Sequence, residues 1–202
     1  MNKITFICPI YNTFPEIVSS CINQTHKNWE LLLIHDGPNS TNLKQLIDII
    51  GDNRIKFIET EERKQLWGHP IRKWALENID ILSPNTEYVV ITNGDNFHVP
   101  HFCEYLLKGF DKPNTLATYC SKMVHSYLIP QPDGIYNYGI IETKLELGYI
   151  DCAGVLMKKE IAIERGWKDF THSSDWTHFK RVIDKYGVKA WNRVNGCLLT
   201  HN

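Results

Sequence analysis

The sequence predicts a single α/β domain: a mainly parallel central sheet flanked by helices. Three observations carry that prediction. The 202 residues suffice for one domain with a sizeable core. Glu30-Leu31-Leu32-Leu33-Ile34 is a near-continuous apolar run, the pattern of a strand covered on both faces. Strand-like and helix-like segments alternate through the first half of the chain, as in a doubly wound sheet.

The elements follow in order. Ile4–Pro9 is a β-prone run closed by proline. Thr13-Phe14-Pro15-Glu16 has the form of a capping box and opens a helix over about 14–24, with Ile17, Val18, Cys21 and Ile22 on one face. The Glu30–Ile34 strand breaks at Asp36-Gly37-Pro38-Asn39-Ser40, a dense turn cluster. Leu43, Leu46, Ile47 and Ile50 carry the next helix, which Gly51 ends. Ile55–Ile58 is a third strand, Pro70–Ile79 a helix, and Tyr88–Thr92 a fourth strand that stops at Asn93-Gly94-Asp95-Asn96. A helix is expected over Pro100–Phe110, a strand over Thr115–Met123 and an irregular loop over Pro130–Gly139. Cys152–Met157 reads as a strand, and Glu160–Arg165 as a helix ended by Gly166. Ser174–Tyr186 is a helix with Trp176, Phe179, Ile183 and Tyr186 on one face. Two short strands, near Ala190–Val194 and Cys197–Thr200, close the order.

Composition excludes several classes. Hydrophobic residues at 43% and charged ones at 22% are those of a globular chain, not a disordered or fibrous one. The formal charge of −1 lacks the basic excess of a generic nucleic-acid binder, so no nucleic-acid partner is expected. No stretch approaches the ~18 consecutive apolar residues of a membrane span. The opening Met1-Asn2-Lys3-Ile4-Thr5 lacks the apolar run of a signal peptide, so a cytoplasmic chain, or one at the inner membrane surface, is expected. The six cysteines are never closer than 13 residues, which leaves no metal-finger spacing and reads as buried free thiols in a reducing compartment.

In open α/β sheets the ligand lies beyond the carboxyl ends of the strands. Tyr11-Asn12, His35-Asp36-Gly37 and Asn93-Gly94-Asp95-Asn96 fall there. Tyr11 offers a ring on which a nucleobase can stack, or else covers the sheet edge. Asp36 can accept an imide hydrogen, as of uracil, or else simply initiates a turn. Asp95 offers a hard oxygen to a divalent cation; its alternative is a plain turn.

These residues carry a resemblance. Cys8-Pro9-Ile10-Tyr11-Asn12, then Trp29–Gly37, resembles the opening of family 2 glycosyltransferases, whose usual pattern is Pro-x-Tyr-Asn and then a strand ending in Asp-Asp-Gly-Ser. Here His35 replaces the first Asp and Pro38 the Ser. Gly68-His69-Pro70-Ile71-Arg72 is similar to the family's Gly-x-x-x-Arg, without its following Asn. Asn93-Gly94-Asp95 stands where most relatives have Asp-x-Asp, and Ser174-Asp175 where they have Glu-Asp. The resemblance spans essentially the whole chain, with the motifs in order. It implies the GT-A fold, a Rossmann-like nucleotide-diphospho-sugar transferase domain, with residues 1–96 as the nucleotide-sugar half and 97–202 as the acceptor and catalytic half. It implies a hexosyl-type transferase acting in glycan biosynthesis, which moves a sugar from a UDP-sugar to a glycan or other hydroxyl acceptor, with dTDP- or GDP-sugars as second choices. Pro9, Tyr11, Asp36, Arg72, Asn93 and Gly94 would bind the nucleotide. Asp95 and the late His201 would hold Mn2+ or Mg2+, and Asp175 would be the base of an inverting transfer. For Arg72 a solvated helix charge is the alternative, for His201 a solvated histidine, and for Asp175 a carboxylate stabilising its helix dipole. The Tyr- and Pro-rich Val124–Ile150 suits acceptor recognition; His98, His101 and His172 either line that acceptor site or are scattered histidines with no part in it.

Two other readings stay open. A catalytically inactive nucleotide- or sugar-binding module accommodates His35 and Asn93 in place of two customary carboxylates. A sugar nucleotidyltransferase uses a similar α/β base, but commonly has a Gly-rich phosphate loop where Tyr11-Asn12-Thr13-Phe14-Pro15 stands. A dinucleotide-dependent dehydrogenase is disfavoured by the absence of GxGxxG.

Overall fold

Seven consecutive buried residues, Ile4–Ile10, form β1, the spine of the first half. In the computed structural model, which describes residues 2–12, 15–38, 42–125 and 138–201, β1 pairs in parallel with β2 (Trp29–His35) on one side and β4 (Tyr88–Ile91) on the other. β3 (Ile55–Glu59) lies beyond β2, also parallel. The period-2 alternation of side chains divides the core in two. Ile4, Phe6 and Cys8 of β1 and Leu31 and Leu33 of β2 face α1 (Pro15–Ile22) and α2 (Leu43–Ile50). Ile7, Leu32 and Ile34 face α3 (His69–Glu77). Burial on both faces is why these strands read as unbroken apolar runs.

The register aligns Ile10 with His35 and Ile7 with Ile91. The carboxyl ends of β1, β2 and β4 therefore finish on one edge, where Tyr11, Asp36 and Asn93 follow. A single turn of helix, α4 (Ile79–Leu82), precedes β4.

The second half differs from the mainly parallel expectation. The sheet order is β3-β2-β1-β4-β8-β6-β9-β5, with β7 also on β6. Here β5 is Phe97–His98, β6 Ala117–His125, β7 Gly139–Glu142, β8 Val155–Lys158 and β9 Trp191–His201. Pairings β4–β8, β8–β6, β6–β7 and β9–β5 are antiparallel, and only β6–β9 is parallel. The sheet is therefore mixed. Antiparallel strands can leave one face wet, and β7 and much of β9 alternate between half-buried and exposed residues. Such strands lack the continuous apolar signature of β1 and β2. α5 (Phe102–Lys108) packs on the β1 side of the core, and α6 (Lys159–Arg165) and α7 (Ser174–Tyr186) on the other.

Three expectations change in detail. Cys152–Gly154 is a 3-10 turn rather than strand, because Asp151 caps it by accepting from the Ala153 amide at 2.8 Å. The two closing strands are one, β9, whose irregularity at Gly196 (φ +146°) shifts the register against β6. The expected loop ends in β7 at Gly139–Glu142, while its residues 130–137 lie outside the described residues, as does Thr13 of the expected capping box. Among the described residues no helix is long and apolar enough to cross a membrane.

Candidate active site

The edge formed by the ends of β1 and β2 is locked by His35. Its Nδ1 faces the Gly37 carbonyl at 2.8 Å and its Nε2 the Tyr11 carbonyl at 3.0 Å. The imidazole thus links the two loop starts, a task for which the customary Asp is shorter. Tyr11 itself projects outward, 47% exposed. The Arg63 guanidinium lies 3.3 Å from its ring centroid. Asp36 is buried, and its two oxygens accept from the backbone amides of Lys64 (2.5 Å) and Gln65 (2.8 Å). Pro9 is buried against Gly68, where a Cβ would stand 2.5 Å from the Pro9 Cβ; φ there is +76°, so both space and backbone require glycine.

Arg72 is buried at 3% exposure, which excludes a solvated helix charge. It projects from α3 and donates to the Trp67 carbonyl (2.7 Å), to His69 Nδ1 (2.9 Å) and to Asn93 Oδ1. His69 Nδ1 also accepts from Trp167 Nε1 at 3.1 Å. Burial and the adjacent Arg72 charge push the His69 pKa down to about 4, which keeps the ring a neutral acceptor. Arg72 therefore ties α3 to the turn after β4, where Gly94 is buried and Asp95 half-buried.

Across that turn three further elements converge. Asp151 caps the 3-10 turn, Asp175 opens α7 and His201 closes β9. Asp151 Oδ2 lies 3.2 Å from His201 Nε2. Asp175 Oδ2 accepts from the Cys152 amide at 3.2 Å. The carboxylates of Asp151 and Asp175 and the Cys152 sulfur lie within 4.8 Å of one another. His125 of β6 stacks on His201, centroids 4.4 Å apart.

The electrostatics follow from this crowding. Burial, reinforced by the Asp151 charge, raises the Asp175 pKa, with Arg72 opposing. Burial also raises Asp95, and His201 partly offsets it. For Asp151 burial works upward too, but His201, the Ala153 amide and Arg72 together hold the carboxyl below its ordinary value. Burial disfavours charge on His201, yet Asp151, Asp95 and Asp175 together hold its pKa above the ordinary value. Burial pushes the Cys152 thiol well up, and its soft sulfur suits a hard cation less well than the carboxylates beside it. Three carboxylates and an imidazole suit Mg2+ or Mn2+.

Asp151 carries no local sequence signal, since the 3-10 turn that it caps resembles the entry to a strand. Arg63, His69 and His125 are likewise not singled out by the sequence. His98 is a core residue, packed on Phe6 and Phe102 and bonded to the Ala153 carbonyl at 3.0 Å. His101 is exposed beside Glu104, and His172 meets the edge of Trp67. A groove of about 510 Å³ among Lys112, Tyr119, Lys144, Trp191 and Arg193 shares no residue with this cluster.

Comparison with known proteins identifies the family and the fold. The model of the family described as Glycosyl transferase family 2 matches residues 5–166. A bifunctional glycosyltransferase of Dictyostelium discoideum is 32% identical over 101 residues, 49% of this chain and 13% of that protein. An uncharacterized glycosyltransferase of Haemophilus influenzae is 29% identical over 101 residues, 48% of this chain and 38% of that one. The chain thus spans well under half the length of these relatives. Among solved structures, S. aureus TarS superposes with a TM-score of 0.71 at 13% identity, over 99% of this chain and 36% of that one. TarS has also been solved with UDP and with UDP-GlcNAc. GalNAc-T7 with UDP, GalNAc and Mn2+ gives 0.70 at 15% identity, over 100% of this chain and 44% of that one. With a family match over most of its length and the fold that these structures share, the chain belongs to glycosyl transferase family 2 and has the GT-A fold.

Proposed function

We propose that the chain transfers a hexosyl group from a UDP-sugar to a hydroxyl acceptor with inversion at the anomeric carbon. The observation that carries this reading is the convergence of Asp175, Asp151, Asp95 and His201 with Arg72 at the strand ends, beside Tyr11 and Asp36. In this reading residues 1–96 supply the nucleotide site and 97–202 the base. Tyr11 carries the uracil face, Asp36 accepts its imide hydrogen, and Pro9, Asn93 and Gly94 line the way to the diphosphate. The Arg72 guanidinium, held by Asn93, faces diphosphate oxygens.

Asp95 and His201 would hold a divalent cation, with Asp151 within reach as a third donor. When bound, the cation would neutralise charge on the diphosphate leaving group. Asp175 takes the acceptor's proton as its oxygen attacks the anomeric carbon opposite the diphosphate. Its raised pKa makes it a better base than an exposed aspartate. The start of a helix anchored in the core by Phe179 and Val182 is a rigid mount for that carboxylate. UDP and UDP-GlcNAc in TarS, and UDP with Mn2+ in GalNAc-T7, support the donor and metal class.

The test is a panel of UDP-, dTDP- and GDP-sugars with and without manganese, read by donor consumption and by proton NMR of the released anomer. Manganese-dependent turnover of a UDP-sugar, with the anomeric configuration inverted, is expected. Binding without turnover of any donor would favour the inactive sugar-binding module. A retained configuration would remove the single-displacement mechanism.

A further inference from the structure

Residues 61–67 lie directly on the features assigned to the nucleobase. Arg63 Cζ is 3.3 Å from the Tyr11 ring centroid, which is stacking distance and leaves no room for a base between them. Each Asp36 oxygen, which an imide hydrogen would address, already accepts from a backbone amide of this segment, Lys64 at 2.5 Å and Gln65 at 2.8 Å. One short segment thus reproduces both halves of base recognition: a planar π-face on the tyrosine and N–H donors on the carboxylate.

The segment's backbone shows what this arrangement costs. Gln65, Leu66 and Trp67 have φ of +57°, +50° and +53°, three successive non-glycine residues in the left-handed region. The same conformation leaves Leu66 47% and Trp67 66% exposed. Both ends are fixed. The Thr60 amide donates to the His35 carbonyl at 3.1 Å, the Thr60 hydroxyl accepts from the Gly37 amide at 2.7 Å, and Gly68 is wedged on Pro9. Between those anchors, the segment is held by the amide bonds to Asp36, the stack on Tyr11, the Thr60 hydroxyl on the Glu62 carbonyl, the Trp67 carbonyl on Arg72 and the Trp67 ring against His69 and His172.

We infer that residues 61–67 are an autoinhibitory plug in which Arg63 occupies the place of the nucleobase, so that the donor binds by displacing it. The inference rests on the reading of Tyr11 and Asp36 as the base site. A nucleobase with a planar face and an imide edge replaces the stack on Tyr11 and one of the two amide bonds to Asp36, and the strained residues then relax. Apparent affinity is lowered by the fraction of molecules in which the segment is closed. Trp67, exposed and inside the segment, reports its movement.

The experiment uses the full chain, wild type and Arg63→Ala, with UDP as the probe in the presence of manganese. Arg63 is exposed, so its truncation leaves the core intact. By calorimetry, Arg63→Ala is expected to bind UDP about two- to fivefold more tightly, the range of an exposed cation–π contact. In stopped-flow fluorescence the wild-type rate is expected to level off with rising UDP, limited by plug opening, and the Arg63→Ala rate to keep rising. Equal or weaker binding by Arg63→Ala overturns the plug while leaving the base site in place, since weaker binding makes Arg63 a wall of that site. A wild-type rate that rises linearly overturns displacement as the limiting step. UDP binding to neither protein removes the base-site reading, and the plug with it.

Discussion

Replacement of Arg72 by methionine tests how far one buried guanidinium organises the site. The side chain keeps its apolar length and loses its charge and its fork. Of the three hydrogen bonds lost, the Trp67 carbonyl belongs to an exposed residue and can recover water, and His69 Nδ1 keeps its bond from Trp167 at 3.1 Å. Asn93 loses a buried cationic donor, and the Asp151 and Asp175 charges lose the cation that offsets them. Breaking a buried ionic network from one side costs about 3–5 kcal/mol. For a chain of this length each kcal/mol lowers the melting temperature by about 2–4 °C, so the fall should be roughly 6–20 °C. Arg72→Lys keeps the charge but not the fork and should fall about half as far. Thermal melts by circular dichroism without nucleotide measure the structural part, and calorimetry with UDP the binding part, where both variants should lose at least about tenfold, the effect of one charge-assisted hydrogen bond. A methionine variant melting within about 2 °C of wild type would refute the reasoning, because one charged hydrogen bond is worth ~1.5 kcal/mol or more.

Other outcomes follow from the same geometry. Asp175→Asn should cut turnover by about 10²–10⁴-fold with UDP affinity nearly unchanged; near-normal turnover ends its role as base. Asp95→Ala should abolish the manganese-dependent rise in melting temperature with UDP, and a rise that persists places the cation elsewhere. Gly68→Ala forces a Cβ to 2.5 Å from Pro9 at φ +76° and should destabilise by about 1–3 kcal/mol; an unchanged melt shows that this edge yields easily. In metal-free protein the raised His201 pKa contributes stability present below about pH 6.5 and lost as pH rises through its folded value. His69, His98, His125 and His178, held neutral with pKa about 4, contribute stability present above about pH 6.5 and lost as pH falls. Melting temperature against pH should therefore fall on both sides of neutrality, and Asp151→Asn should flatten the alkaline side; an unchanged alkaline slope assigns it to another group.

The strands and helices with continuous apolar signatures were readable from the chain. β1 and β2 appear where their apolar runs put them, because both faces are buried, and the helix Ser174–Tyr186 where its periodicity puts it, with Phe179 buried and Trp176, Ile183 and Tyr186 packed partly against the core. The second half was harder. β7 is half-exposed, β5 is two residues long, and β9 was split by Gly196, whose backbone irregularity reads as a turn. Asp36, Asn93 and Asp95 stood out because they end apolar strands. Asp151 did not, since nothing local separates a residue capping a 3-10 turn from one entering a strand. Its closeness to His201 and Asp175 arises from chain separations that a local pattern does not encode. The burial of Arg72 was equally hidden: its position on α3 is visible in sequence, but the partners that let a charge be buried come from the turn after β4.

The position of β9 bears on how the molecule is made. It lies between β6 and β5, not at the rim, and it brings His201 to Asp151. During vectorial synthesis β1 to β8 leave the ribosome while the long edge of β6 still lacks its parallel neighbour. That edge, with Thr118, Cys120 and Lys122 awaiting partners in β9, is then a template for any extended segment, another nascent copy included. The doubly wound half can form as it emerges, whereas the sheet closes and the site is assembled only after residues 191–201 have cleared the tunnel. Chains interrupted within that stretch should accumulate as aggregates rather than as weakened enzyme.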